Sequence, residues 1–290
     1  MTKLEHKIDF VALISVTNAN GNGDPLSGNR PRTDYNGMGE ISTVCIKRKI
    51  RNRMQDMGNL IFVQSEDRRD HDDKFGSLSE RAAAATDWIK ETGITGKELY
   101  AETACKKWMD VRSFGQVFAF KSGNDNDDGV SVGVRGPVSV HQAISISPVR
   151  IEEMQITKSV NGEPGKKRSS DTMGTKCFVR FGLYKIKGAI NVQLAEKTGF
   201  SQEDAAVVKE CLRTLFVNDA SAARPEGSME AVKLFWWEHN CKEGQYSSAK
   251  VHRSVHVTPK NPEGIPTCVD DYEITLDELP GLVPEIIDGV

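Results

Sequence analysis

No stretch of the 290 residues holds the roughly 18 consecutive apolar side chains that a bilayer-spanning helix requires. The amino end, MTKLEHKIDF, has no apolar run of signal-peptide length. With 38% apolar residues, 27% charged residues and a mean hydropathy of -0.44, the chain reads as soluble, globular and cytoplasmic, with no membrane partner. At roughly 150 residues per domain, its length suits one large domain or two small ones. Cysteine is sparse and scattered: Cys45, Cys105, Cys177, Cys211, Cys241 and Cys268 form no C-x-x-C pair. That excludes a disulfide framework and a zinc knuckle, and leaves reduced, mainly buried thiols as the expectation.

Catalytic signatures are equally scarce. The loop from Asn18 carries a G-x-G at Gly21 and Gly23, but Pro25 interrupts it and no dinucleotide fingerprint follows. A phosphate-binding G-x-x-x-x-G-K-[ST], a nucleophile elbow, an H-E-x-x-H and a carboxylate cluster with metal spacing are all missing. His6, His71, His141, His239, His252 and His256 are dispersed, and His252 with His256 on one strand face lacks further ligands. No metal, cofactor or catalytic residue is expected.

What the sequence does hold is locally concentrated charge. The totals, 38 Lys and Arg against 41 Asp and Glu, give a net -3 that argues against a nucleic-acid partner. The average misleads, because Val269–Val290 carries seven acids and no base, leaving the preceding chain at +4. Ile46 to Arg53 reads IKRKIRNR, with Lys47, Lys49, Arg48, Arg51 and Arg53 and no acid. A second cluster, Lys166, Lys167 and Arg168, lies in the Gly/Ser-rich stretch NGEPGKKRSSDTMGT. A binding footprint is a local field, not a net charge.

The opening run IDFVALISV predicts a buried strand over Ile8–Val16. Asn18 to Gly39, rich in Gly, Asn and Pro, reads as a long ordered loop without regular structure. Ile46, Ile50, Met54 and Met57 recur at helical spacing and predict a helix over about Ser42–Met57 with those four buried. At about 100° per residue, Lys47, Arg48 and Arg51 then share one arc, with Lys49 and Arg53 flanking the stripe on its other side. Residues 64–100 look inserted, with helices near Ala82–Lys90 and Leu99–Met109, followed by a hairpin over Asp110–Gly136 with an acidic tip. Strand signals return at Pro137–Ser147 and Lys176–Gln193; Ser201 caps a helix to about Phe216, and Ala231–His239 is the last strand. Without insertions the order is strand, helix, strand, strand, helix, strand, the α+β topology of ferredoxin-like and RNA-recognition-motif folds.

Three basic elements compete with ordinary solvated surface. Glycine-freed amides beside Arg30 and Arg32 suit a phosphate, though composition alone fits a plain surface loop as well. The Lys47, Arg48 and Arg51 arc has no acid across Ile41–Gln55 to offset its self-repulsion, which favours an anion partner. Lys166, Lys167 and Arg168 suit either a linker or a β-hairpin finger, with Met173 as an apolar wedge. The FVRF of Phe178–Phe181 matches only the end of an RNA-recognition pattern and reads as core strand.

Taken together, NGDPLSGNRPRTD, CIKRKIRNRM, DVRSFGQVFA and GVRGPVSVHQAISISPV resemble the repeated backbone subunit of type I CRISPR surveillance complexes (Cascade), the type I-C form most closely. These motifs fall in order over residues 22–149, and the rest agrees in layout. The resemblance implies a single hand-like domain over 1–290: a modified RNA-recognition-motif palm at about 1–57, 136–147 and 176–240, an inserted finger or web at about 58–135, a β-hairpin thumb at about 148–175, and an acidic extension at about 241–290. It further implies a non-catalytic protein that polymerises head to tail along a guide RNA (crRNA) and presents it to a target DNA strand. Its implied partners are further copies of itself, a small subunit, a large subunit, a processing endoribonuclease and a recruited helicase-nuclease. The family's palm cations correspond to Lys47, Arg48 and Arg51 and its N-terminal loop to Asn29, Arg30 and Arg32; its thumb, by layout, takes in Lys166, Lys167, Arg168 and Met173. Arg135 is an added candidate for a phosphate or neighbouring-subunit contact. Two alternatives stand beside this one: a guide-processing endoribonuclease with His141 as its base, and a protein-only assembly module.

Overall fold

The computed structural model describes residues 2–69, 74–91, 97–119, 131–157 and 173–290. The chain opens with β1 (Ile8–Ala19), whose apolar residues run without alternation because both of its faces are covered. The following loop is more regular than its composition predicts: β2 (Gly23–Asp24) and β3 (Arg30–Pro31) pair as a small hairpin, and β4 (Met38–Ile41) joins the main sheet. Left-handed backbone at Gly28 and Asn29 closes that hairpin, which explains its glycine and asparagine.

Helix α1 (Thr43–Asp56) follows, then α2 (Leu78–Glu91), α3 (Lys97–Lys107) and α4 (Met109–Phe114). Local pattern assigns Asp110–Phe114 to a hairpin, whereas these residues form a helical turn and a half that is too short to display a period. The hairpin begins only at β5 (Gly115–Ala119), paired with β6 (Ser131–Arg135). The predicted strand over 137–147 divides into β7 (Val138–Val140) and β8 (Ala143–Pro148). Next, β9 (Ile151–Thr157) pairs with the first half of the long β10 (Met173–Ile190). After α5 (Val192–Thr198), α6 (Gln202–Arg213) is held at its start by a capping box between Ser201 and Asp204, as the sequence indicates.

The strand expected to be last, β11 (Met229–Glu238), is followed by α7 (Ser248–Arg253), β12 (Val255–Pro259), β13 (Tyr272–Leu276) and β14 (Glu285–Asp288). These elements are short and punctuated by Pro, Gly and Asn, so each carries little sequence signal. The main sheet runs β14-β11-β1-β10-β8-β4, with β7 and β9 also on β10. Its core strands therefore lie in the interleaved antiparallel order that the ferredoxin-like reading requires.

Two cores sandwich the sheet. Phe10, Ala12, Ile14 and Val16 of β1 face Ile46, Ile50 and Met54 of α1 and Val208 and Leu212 of α6. On the other face, Val11 and Leu13 pack with Leu183, Phe235 and Trp237 beneath Val251, Val255, Tyr272 and Leu282 of the C-terminal segment. The acidic tail is thus used by its own fold: Glu285 meets Lys209 at 2.6 Å and Asp277 meets His256 at 2.7 Å. A third, aromatic core of Phe62, Tyr100, Trp108 and Phe118 belongs to the inserted region. All six thiols are free; Cys105 and Cys211 are buried, Cys268 is exposed, and burial pushes Cys211 up to about 12.

Beneath the C-terminal segment, the buried Asp9 carboxylate meets Lys7 Nζ at 3.0 Å and His239 Nε2 at 2.8 Å. His239 Nδ1 accepts the Gln245 backbone N–H at 2.9 Å, so the ring's proton sits on Nε2 and is donated to Asp9. Burial alone would raise the Asp9 pKa, but hydrogen bonds from His239, Ser248 and Lys7 together outweigh it and hold the carboxyl below its ordinary value. A depressed folded-state pKa contributes stability above the unfolded carboxylate range, and that contribution is lost as pH falls through the lower folded value. In acid denaturation from about pH 6 to pH 2, Asp9→Asn should therefore start roughly 3 kcal/mol less stable and give a flatter curve. A variant curve parallel to the parent's would assign the acid limb to other groups.

Candidate nucleic-acid interface

Helix α1 carries the densest cation cluster, and its ends are well defined. The Ser42 hydroxyl accepts the Cys45 N–H at 3.3 Å, and the Asn22 side chain accepts the Ser42 N–H at 2.9 Å, tying the glycine-rich loop to the helix start. Its buried stripe is Ile46, Lys49, Ile50 and Met54. Met57, expected in that stripe, is 38% exposed, because it is the C-cap residue where helical geometry ends. Lys49, expected at its flank, is 4% exposed; it is bonded to Asp219 and lies 5.3 Å from the Phe216 ring centroid.

The lack of acids near these cations in sequence is made good from elsewhere. Arg51 Nε donates to Asp110 Oδ2 at 2.9 Å, and the 1%-exposed Asp110 also accepts the Phe62 and Val63 backbone N–H groups at 2.6 and 3.1 Å. Arg53 Nη1 pairs with Asp56 at 2.8 Å and its Nε donates to the Thr214 hydroxyl at 3.1 Å. Uncompensated self-repulsion along α1, the expectation from local spacing, is therefore confined to fewer groups.

Lys47 is the α1 cation with no hydrogen bond or ion pair to protein among the described residues. Its ammonium lies 5.2 Å from the centroid of Phe114, and the Arg51 guanidinium lies 5.0 Å from the same ring. Burial, and secondarily the charge of Arg51, pull the Lys47 pKa below its ordinary value. A bound anion opposes both effects by favouring the charged ammonium. Phe114 precedes Gly115, which pairs with Arg135 across the β5-β6 ladder. A side chain on Gly115, at φ +80, would collide with the Val134 carbonyl and approach the Gly136 amide to 2.7 Å, so glycine is what lets the hairpin close there. Arg135 is exposed and has no protein hydrogen bond or ion pair among the described residues. The fold thus brings Lys47 and Arg51 around one aromatic ring, with Arg135 on the strand opposite the residue that follows it. Phe114 and Asp110, which organise the group, were missed as functional residues although both lie in the DVRSFGQ segment.

Arg48 points elsewhere. Its Nη2 donates to the Val63 carbonyl at 2.8 Å, and it lines a cleft of about 240 Å³ with Lys49, Arg68 and Arg224, opposed by Asp67 and Asp219. In the N-terminal loop, Arg30 pairs with Glu153 of β9, and Arg32 meets Asp24 at 3.3 Å. Hydrogen bonds from the Ser27 hydroxyl and the Leu26 amide lower the Asp24 pKa, so that partner stays ionised. Asn29 is an exposed turn residue whose side chain covers Gly23. A phosphate reaching Arg30 or Arg32 has to compete with these carboxylates. Met173 is 73% exposed at the start of β10 opposite Thr157, whereas Lys166, Lys167 and Arg168 lie outside the described residues.

His252 and His256 do not share a strand: one closes α7, bonded to the Gly188 carbonyl at 2.9 Å, and the other is on β12. No group of three or more potential metal ligands occurs among the described residues.

The sequence profile of the CRISPR-associated protein Cas7 family matches residues 6–277. The chain belongs to the Cas7 family. A CRISPR-associated protein Cas7 of Haloferax volcanii is 25% identical over 222 residues, covering 70% of this chain and 62% of the relative. The chain thus spans less than two thirds of that relative's length. A chain from a CRISPR RNA-guided surveillance complex in a pre-nicking state superposes with a TM-score of 0.52 at 18% identity, covering 85% of this chain and 81% of the other. That likeness is one of fold, with a large antiparallel sheet, over 85% of the chain. The profile match encloses α1, Phe114 and Arg135, so the cationic surface lies within the family region and not on an appended segment.

Proposed function

We propose that this Cas7-family chain is a non-catalytic backbone subunit of a cytoplasmic CRISPR surveillance complex, of type I-C, that polymerises head to tail along a guide RNA. The observation that carries this reading is the convergence of Lys47 and Arg51 on Phe114, with the exposed Arg135 on the adjoining strand. Cations over an aromatic ring grip phosphates and stack against bases without reading their edges, which suits a subunit that accepts any guide sequence. Sequence discrimination is left to pairing between guide and target DNA. Asn29, Arg30 and Arg32 line the same guide, Arg48 supports it from the adjoining cleft, and the region around 148–175, with Lys166, Lys167, Arg168 and Met173, folds over the RNA on the neighbouring copy. In this assembly the small, large and processing subunits complete the particle, and a helicase-nuclease recruited to it cuts the DNA.

The reading is tested on the chain expressed alone, by the ratio of absorbance at 260 and 280 nm and by sedimentation before and after ribonuclease treatment. The expected result is large, nucleic-acid-rich particles that collapse on digestion. Particles whose size is unchanged by ribonuclease would mean a protein-only assembly and overturn the RNA-templated filament.

A further inference from the structure

The face of the sheet opposite α1 and α6 carries a second concentration of positive charge. Along β10, alternate residues on this face run Phe181, Leu183, Lys185 and Lys187. The first two are buried with the C-terminal segment, and the row turns cationic where that cover ends. The boundary is marked by Lys185, whose Nζ donates to the Val255 carbonyl at 2.6 Å. Beyond it lies a cleft of about 760 Å³ between β10, α7 and β12.

The titratable lining of this cleft is Lys185, Lys187, Arg253, His141, His252 and His256, without a carboxylate. Two nearby acids are already engaged and do not line it. Asp9, 3.6 Å from His252 Nε2, is held by His239 and Lys7, and Asp277 is bonded to His256. The side chains of Lys187 and Arg253 have no hydrogen bond or ion pair to protein among the described residues. A concave surface lined by one sign of charge concentrates its potential and selects a polyanion.

The chain's own acidic segment is an unsuitable occupant, because β13 and β14 are built into the fold and its acids pair with Lys209, Lys233 and His256. The exposed rings of His141 and His256 offer flat surfaces on which bases can stack beside a bound backbone, a feature of no use to an acidic peptide. We infer that this cleft binds a stretch of single-stranded nucleic acid through its phosphodiester backbone, separately from the surface around Phe114. The two sites lie on opposite faces of one sheet.

The full-length chain is titrated against fluorescein-labelled oligothymidylate by anisotropy over a series of salt concentrations. Lys47→Ala with Arg135→Ala serves as the background, so that the remaining binding reports on the cleft. Adding Lys187→Glu and Arg253→Glu to that background should weaken binding about tenfold or more and reduce the salt slope by about 1.4, roughly 0.7 for each lost single-strand contact. Unchanged circular dichroism and melting temperature establish that the fold is retained. Equal affinity and slope with and without the two glutamates would overturn the inference, as would a background that binds no oligonucleotide while the parent chain does. Polyglutamate that displaces the probe as well as unlabelled oligothymidylate at matched charge would overturn it in favour of an acidic protein partner. If the background binds as tightly as the parent but the glutamates abolish binding, the cleft stands and the Phe114 surface is the assignment that fails.

Discussion

Asp110→Ala should lower the melting temperature by roughly 5–8 °C, an effect of about 3–5 kcal/mol in a chain of this size. Asp110 is a buried side chain that fixes the cation cluster through its direct bond to Arg51. Its two oxygens accept the Phe62 and Val63 amides and the Arg51 guanidinium, so truncation leaves two inward-facing N–H groups and one largely buried charge without an acceptor. Arg51→Ala removes one of those three bonds and leaves the carboxylate with its two amides, so it should cost less. The double variant should then be more stable than the sum of the single losses, because Arg51 has no charge left to strand once Asp110 is gone. Urea unfolding of the four proteins measures this coupling directly. Strict additivity would mean that the pair is screened by solvent and that Asp110 acts only through the amides.

The sequence was readable where a side-chain pattern repeats within one element. Helix α1 is the clearest case: its cap, its apolar stripe at Ile46, Ile50 and Met54 and its length all follow from local spacing. The same locality concealed what neutralises its cations. Arg51 finds its acid 59 residues on, and Lys49 finds Asp219 170 residues on, distances that a search at i±3 and i±4 cannot reach. Local spacing accordingly sets Lys49 at the flank of the stripe, whereas the side chain is buried.

Short elements failed for a different reason. The turn and a half of α4 and the five-residue strands β12 and β13 do not extend through enough residues for a period to emerge. Their positions are fixed by tertiary cover: α4 by the aromatic core around Phe62 and Trp108, the C-terminal strands by the apolar back face of the sheet. Phe114 illustrates the consequence for the candidate site. Nothing in its local sequence marks it, and only the junction of α4 with the β5-β6 hairpin sets it against Lys47 and Arg51.

Those contacts separate the α1 cations into groups with different expected roles, and guide binding should follow that division. Lys47→Ala with Arg135→Ala is expected to weaken binding of unrelated guide sequences to a similar extent and to reduce the salt slope by about 1.4, since each residue offers one phosphate contact worth roughly 0.7. Neither side chain has a hydrogen bond or ion pair to lose among the described residues, and Lys47 gives up only its contact with Phe114, worth about 0.5–1 kcal/mol, so the melting temperature should stay within about 2 °C of the parent's. Arg53→Ala should do the reverse: its guanidinium is committed to Asp56 and Thr214, so stability falls while the salt slope is retained. Lys49→Ala belongs with Arg53 on the same reasoning, because it leaves Asp219 to Arg224 alone, at 3.4 Å. The decisive comparison is the slope of binding affinity against salt for the Lys47 and Arg135 pair beside that for Arg53. A loss of slope in Arg53→Ala with none in the pair would move the RNA to the opposite flank of α1, toward α6 and the cleft at Arg224.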